Sequence, residues 1–438
     1  MKKAKFLLVL LMTLVICLSF VITALAEDEE LYTEAAITKL LQVPEGTNYP
    51  KMDFVFTVTP YKYNHSETDL VKVPVVGTEI GTTGSGNITV SFDGQAANPR
   101  AETLEGTEAN VSTYYLESAN LFDGVEFPNA GYYEYMIGEA DTTYDIEDAR
   151  HEAIALSTAE YHITVFVRES GGVAYIYHIG VVRIIKEDGQ PGDEKVDPTP
   201  GGDGVNTHYS QMSFTNQYVR TNGAKDPDDP DPKKPDPNDP DPENPFISDS
   251  TLNIIKEVKG EFADQSMLFK FSMTINVPTL IPSYVRDFYK AYLVDDTGIL
   301  DPLETVDASL IGIDAPNKLY IKFAPGSAVD FQLAHGQALV FVNTPVGTTY
   351  SVTETAETGY VTTITVFYNS VKNAAITALT VAGLVGERYN AADYLNDLGG
   401  FTPGGLNVND LPFYGLIVFA IGGLIAFIVV KSRRRNRG

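Results

Sequence analysis

The chain has 438 residues, with 31 basic and 58 acidic side chains, a formal net charge of −27, one cysteine and no tryptophan. That charge excludes a nucleic-acid binder working through phosphate contacts, and a single cysteine excludes a disulfide scaffold. Six histidines without metal-ligand spacing, and the lack of HExxH and GxSxG motifs, speak against a hydrolase and predict neither a metal nor a cofactor.

Residues 1–26 read as a secretory signal peptide. Lys2, Lys3 and Lys5 make a positive leading region, Phe6 to Ile22 is apolar, and Ala24-Leu25-Ala26 fits the small-residue cleavage pattern. Cys17 lies inside this segment, so the exported chain carries no thiol. Once the three signal lysines and the five basic residues of the C-terminal tail are set aside, the body has 23 basic against 58 acidic residues. Such a body stays soluble and repels anionic surfaces.

Residues 31–222 form a first folded region and residues 250–400 a second. Both are rich in Thr, Val, Ile, Tyr and Phe in alternating runs, such as Phe54-Val55-Phe56-Thr57-Val58, Tyr161-His162-Ile163-Thr164-Val165-Phe166-Val167 and Leu268-Phe269-Lys270-Phe271-Ser272-Met273. Clusters of Gly, Pro and Asn punctuate them. This pattern predicts an all-β protein with two immunoglobulin-like sandwich domains. Helices are expected to be minor, with Ser283 to Leu293 as one candidate.

Between the two lies a linker, 223–249. Its centre, Lys225 to Pro245, has no apolar side chain apart from proline and cannot form a core. Alternating Pro predicts an extended polyproline spacer that holds two lobes apart. Its clustered Asp lacks the glycine turn and terminal Glu of a calcium loop.

After a juxtamembrane stretch, 401–410, Leu411 to Val430 is a charge-free segment long enough to span a bilayer. The basic tail 431–438 is expected to stay on the cytoplasmic side. The body is therefore expected outside the cell, tethered to the membrane through this helix.

Three strands of the first region share an anomaly. Side chains alternate along a strand, so Lys39 falls on the face of Ile37 and Leu41. Glu139 falls on the face of Tyr133, Tyr135 and Ile137, and Asn216 on the face of Met212, Phe214 and Tyr218. Polar groups on a core face need partners. The second region repeats the series in the same order. Lys256 shares a face with Leu252, Ile254 and Val258, Glu354 with Tyr350 and Val352, and Asn396 with Tyr394 and Leu398, while Asn390 is a nearby alternative to Asn396.

A Lys, a Glu and an Asn buried together can react. Desolvation favours the neutral amine and the neutral acid. The amine can then attack the Asn side chain, with the Glu donating to the amide carbonyl and shuttling the proton. Ammonia leaves, and a Lys–Asn isopeptide bond ties the first strand of a domain to its last. This happens once, without turnover, so no enzyme in the ordinary sense is predicted. In a chain without disulfides the bond would take over their cross-linking role.

These motifs resemble the pilin isopeptide-linkage domains of Gram-positive surface proteins, of the streptococcal backbone-pilin kind. In the first region the likeness runs through Ile37-Thr38-Lys39, Pro44-Glu45-Gly46, Phe54-Val55-Phe56, Gly131 to Glu139 and Phe214-Thr215-Asn216-Gln217-Tyr218. In the second it runs through Leu252 to Gly260 and Gly347 to Glu354. The resemblance implies Lys39–Asn216 and Lys256–Asn396 cross-links, with Glu139 and Glu354 as the catalytic acids. It also implies a cell-surface structural or adhesive role. The partners it implies are a sortase, other pilin subunits and a host or matrix ligand. A sortase signal should precede the membrane segment. Phe401-Thr402-Pro403-Gly404-Gly405 and Leu411-Pro412-Phe413-Tyr414-Gly415 are the degenerate candidates, and both lack Thr at the fourth position. The competing reading is a surface carbohydrate- or protein-binding module without isopeptide bonds. The absence of Trp argues against sugar stacking.

Overall fold

The computed structural model describes residues 31–80, 84–95, 102–104, 110–142, 144–146, 149, 151–201, 209–221, 252–315 and 318–399. The segments read as a signal peptide, linker (223–249), sorting-like motifs, membrane span and basic tail lie outside the described residues. No helix among the described residues is long and apolar enough to cross a membrane.

The described chain is all-β, and its helical elements are short 3-10 turns. In the first region a five-stranded sheet runs Glu102–Thr103, Val111–Glu117, Thr38–Pro44, Ser213–Arg220, Glu152–Ala155. It faces a seven-stranded sheet ordered Pro191–Val196, Val173–Ile185, Glu160–Ser170, Gly131–Thr142, Lys51–Tyr63, Ser85–Asp93, Thr78–Ile80. Alternate residues of both sheets, including Ile37, Leu41, Phe54, Phe56, Tyr133, Tyr135, Phe214 and Tyr218, pack into one core. Full burial of such a side chain contributes about 1.5–3 kcal/mol.

The second region is a sandwich of a ten-stranded and a four-stranded sheet. Ala338–Val342, Leu252–Lys259, Ala391–Leu398 and Tyr360–Tyr368 are consecutive neighbours in the larger sheet. The smaller sheet runs Val329–Leu333, Phe269–Asn276, Thr349–Glu354, Thr380–Leu384. Its core contains Leu252, Ile254, Val258, Phe269, Phe271, Tyr350, Val352 and Tyr394.

The helix expected over Ser283 to Leu293 does not form. Pro282–Tyr284 is a 3-10 turn, and Tyr289–Asp295 is a strand. Lys318–Phe323 pairs with that strand on one side and Ala338–Val342 on the other. Burial on both faces of this strand hides the alternation that would have marked it, and the two ladders override local propensity.

The two sandwiches also touch directly. Thr221 forms a β-bridge with Pro345, and the Val346 N–H donates to the Arg220 carbonyl at 2.8 Å. Glu387 accepts from the backbone and side-chain nitrogens of Asn48 at 2.8 and 2.9 Å, and Arg220 lies 3.7 Å from it. Gly347 sits at this junction with φ of 85°, where a Cβ would come within 2.4 Å of Pro44. Only a glycine fits there.

Candidate functional site: two buried Lys–Glu–Asn clusters

In each sandwich the first strand lies parallel and adjacent to the last. Thr38–Pro44 pairs with Ser213–Arg220 so that Lys39 is opposite Phe214 and Leu41 opposite Asn216. Leu252–Lys259 pairs with Ala391–Leu398 so that Lys256 is opposite Tyr394 and Val258 opposite Asn396. The offset is the same in both. The Asn sits two residues beyond the partner of the Lys, and both side chains therefore point to the core face.

The carboxylate comes from the facing sheet. Glu139 is opposite Phe56 in its ladder, and Glu354 is opposite Phe271. The side chains of Lys39, Glu139, Lys256 and Glu354 are fully buried, as are Asn216 and Asn396. Each amine also lies over aromatic rings, which shield it from water. Lys39 Nζ is 4.7 Å from the Phe54 ring centroid and 5.8 Å from that of Phe56. Lys256 Nζ is 4.2 Å from Phe269 and 5.8 Å from Phe271.

Within the first cluster Lys39 Nζ donates to Glu139 Oε2 at 2.9 Å, and Asn216 Nδ2 donates to Glu139 Oε1 at 2.7 Å. In the second, Lys256 Nζ is 3.0 and 3.1 Å from the two Glu354 oxygens, and Asn396 Nδ2 donates to Glu354 Oε1 at 2.5 Å. One carboxylate thus touches both the amine and the amide nitrogen. The sequence analysis placed the Glu against the amide oxygen, whereas in both clusters it faces the amide nitrogen.

Burial lowers the Lys39 amine from 10.5 to about 8, against the opposing pull of Glu139. Burial lowers Lys256 to about 8 in the same way, against Glu354. Burial pushes the Glu354 carboxyl up, and Lys256 opposes it. Burial therefore shifts each amine toward its neutral form. A neutral amine beside an amide is a nucleophile beside an electrophile.

Asn390 is also buried, but it belongs to a loop. Its Oδ1 accepts from the Asn369 and Gly386 N–H groups, and its Nδ2 donates to the Gly386 and Arg388 carbonyls. With all its hydrogen-bonding capacity spent on backbone, it is held away from the Lys256–Glu354 pair, and the residue in that cluster is Asn396.

Several site residues had no assigned role in the sequence analysis. The paired rings Phe54/Phe56 and Phe269/Phe271 were legible only as strand residues, although the recurrence of Phe-x-Phe before each Glu was a usable signal. Ser157 and Glu187 at the first cluster were not found at all. The Ser157 backbone N–H donates to Asn216 Oδ1 at 2.7 Å and to Glu139 Oε2 at 3.2 Å. A backbone contact leaves no mark on residue identity. Among the described residues no group of His, Cys, Asp and Glu is placed to hold a metal ion.

A family model described as a domain of unknown function (DUF7601) matches residues 250–382. No curated protein matches the chain. Among solved structures the chain is similar to the major pilin of Streptococcus pyogenes, at 16% identity and a TM-score of 0.31, covering 84% of this chain and 99% of that one. A second S. pyogenes major pilin, T3.2, matches at 16% identity and a TM-score of 0.29 over the same shares. A pilus-presented adhesin matches at 13% identity and a TM-score of 0.22, covering 55% of this chain and 35% of that one.

Proposed function

We propose that this chain is a pilin-like structural or adhesive protein of the cell surface, whose two sandwiches are each braced by an autocatalytic Lys–Asn isopeptide bond. The observation that carries the reading is the duplication: two fully buried Lys–Glu–Asn clusters in the same strand register, each spanning the first and last strands of a domain. A buried ion pair is costly to build and weak evidence for stability alone. Two built in the same strand register, each beside a buried amide, fit a reaction better than a packing need.

The step balances without a co-reactant. The neutral Lys39 amine attacks Cγ of Asn216, and the carbonyl pair moves onto Oδ1. Glu139 takes the proton from Nζ and passes it to Nδ2. The Cγ–Nδ2 bond breaks, ammonia leaves and the carbonyl re-forms. Lys256, Glu354 and Asn396 do the same. Glu139 and Glu354 act as proton shuttles, placed between donor and leaving group by the contacts described above. Treating each link as a chain-entropy constraint on the unfolded state, the loops closed are worth about 5 kcal/mol apiece, the upper end for such cross-links.

The surface assignment draws on the signal-like residues 1–26 and the charge-free Leu411 to Val430 with its basic flank. Membrane tethering, processing by a sortase, joining to other pilin subunits and binding of a host or matrix ligand complete the proposal. Protease treatment of intact cells tests it. Peptides from both sandwiches should be released without lysis, and release only after lysis would refute a surface location. Extraction by detergent alone would favour the membrane tether. Recovery only after wall digestion would show that a sortase accepts a degenerate motif.

A further inference from the structure

The two clusters differ at the amide oxygen. In the first sandwich the neighbour of the Asn strand on its outer side is Glu152–Ala155, whose ladder ends with Ala155 opposite Gln217. The chain leaves the sheet there, one position short of Asn216, and the next turn aims the Ser157 N–H inward at Oδ1, 2.7 Å away. An N–H can only donate, so this contact fixes which end of the amide is oxygen. In the second sandwich the corresponding neighbour, Tyr360–Tyr368, runs past the site, with Thr362 opposite Asn396 and Tyr360 opposite Leu398. Its backbone follows the ladder. Asn396 Oδ1 is buried and has no hydrogen-bond partner among the described residues.

The segment that carries Ser157 is held chiefly by the Glu187 side chain. Glu187 Oε2 accepts from Ser157 Oγ at 2.6 Å, and Glu187 Oε1 accepts from the Thr215 N–H at 2.7 Å. The carboxylate thereby ties the turn to the residue next to Asn216. Thr158 Oγ1 reinforces the tie by donating to the Lys186 and Glu187 carbonyls at 3.1 and 2.9 Å. The Ser157 Oγ in turn accepts from the Ala159 N–H at 3.1 Å.

We infer that the Ser157 backbone N–H is the oxyanion donor of the first cluster, that Glu187 is the positioning residue that aims it, and that the second cluster lacks this device. The inference rests on the isopeptide reading. When the amine attacks, negative charge gathers on Oδ1. A donor already in place, in a site closed to solvent, stabilises that charge with no reorganisation. The first link should therefore form faster than the second.

The test is a time course of cell-free synthesis of the full chain, with both links quantified as branched tryptic peptides. In the parent, Lys39–Asn216 should accumulate ahead of Lys256–Asn396. Ser157→Pro removes the N–H and should slow the first link by about 10²–10³-fold, the usual cost of losing one such donor. Because proline could disturb the turn, Glu187→Ala supplies a second route and should slow it by about tenfold. Glu187→Gln keeps an acceptor and should recover much of that loss, which general destabilisation would not produce. In every variant the Lys256–Asn396 link serves as the internal control and should keep its rate. A linked parent with all variants linking the first site at the parent rate overturns the role of Ser157 and Glu187 and leaves the isopeptide reading standing. A parent with no Lys39–Asn216 peptide overturns both.

Discussion

The first and second sandwiches solve one problem with the same strands and different surroundings. Both place Lys and Asn on adjacent parallel strands, Glu on the facing sheet and a Phe pair beneath the amine. At the amide oxygen they part. Asn216 Oδ1 has a backbone donor, and Asn396 Oδ1 has none among the described residues. A buried acceptor left unsatisfied costs about 1–3 kcal/mol, so the second amide starts at higher energy but lacks the donor that would stabilise the charge of attack. On the proposed chemistry, three side chains would define the reaction, and a strand ending early beside one of them would set its speed.

The sharpest way to break the comparison is to remove the shared element. Glu139→Ala and Glu354→Ala should each slow their own link by about 10²–10⁴-fold, the range for loss of a general acid–base group, and leave the other link intact. Each would also strand a buried lysine, at a cost of about 3–5 kcal/mol. Branched-peptide mapping and thermal denaturation read the two effects. If either substitution stopped both links, the clusters would not be independent.

Next in size is the pair of asparagines in the second sandwich. Asn396→Ala should abolish the Lys256 link and with it a stabilisation of about 5 kcal/mol. Asn390→Ala should leave the link in place and cost about 1–3 kcal/mol, because it orphans the loop groups that Asn390 satisfies. Tryptic mapping separates the two, and a link lost in Asn390→Ala but kept in Asn396→Ala would reverse the assignment.

Acidity sharpens the comparison further. Lys39 titrates at about 8 in the folded, unlinked chain and at 10.5 as a free side chain. Below about 8 the neutral fraction falls tenfold per pH unit, and the rate of linking should fall with it. In an unlinked Asn216→Ala chain, the unfolded state binds more protons than the folded state between about 8 and 10.5. Stability relative to the parent should therefore rise with pH across that window. The linked parent has no amine there to titrate, so a parent showing the same rise would contradict the link.

How far this was legible in the sequence follows from the same residues. Lys39, Glu139 and Asn216 stood out because strand alternation puts them on faces otherwise filled by Ile, Tyr and Phe. The same logic found Lys256, Glu354 and Asn396 but left Asn390 open, since Asn390 falls just before the strand and its loop contacts are not encoded in alternation. Strand Tyr289–Asp295 was missed because both its faces are buried and the periodic signal vanishes. Ser157 was invisible because its contribution is a main-chain N–H, and Glu187 because its role depends on where two loops meet. The contact between the sandwiches was likewise hidden, since Asn48 and Glu387 come together only through the fold.

That junction gives the smallest expected effect. Glu387→Ala removes the contacts to Asn48 and Arg220 and should cost about 1 kcal/mol, with both links forming at the parent rate. A drop in either link would mean that docking of the sandwiches, and not each cluster alone, controls the chemistry.

The most direct measurement is the intact mass of the purified exported chain. Each condensation expels one ammonia, about 17 Da, so two formed bonds place the mass about 34 Da below that calculated for the uncondensed chain with the same termini. Branched peptides joining Lys39 to Asn216 and Lys256 to Asn396 should account for the whole deficit. A mass equal to the uncondensed value, with all four residues recovered in separate linear peptides, would contradict the account.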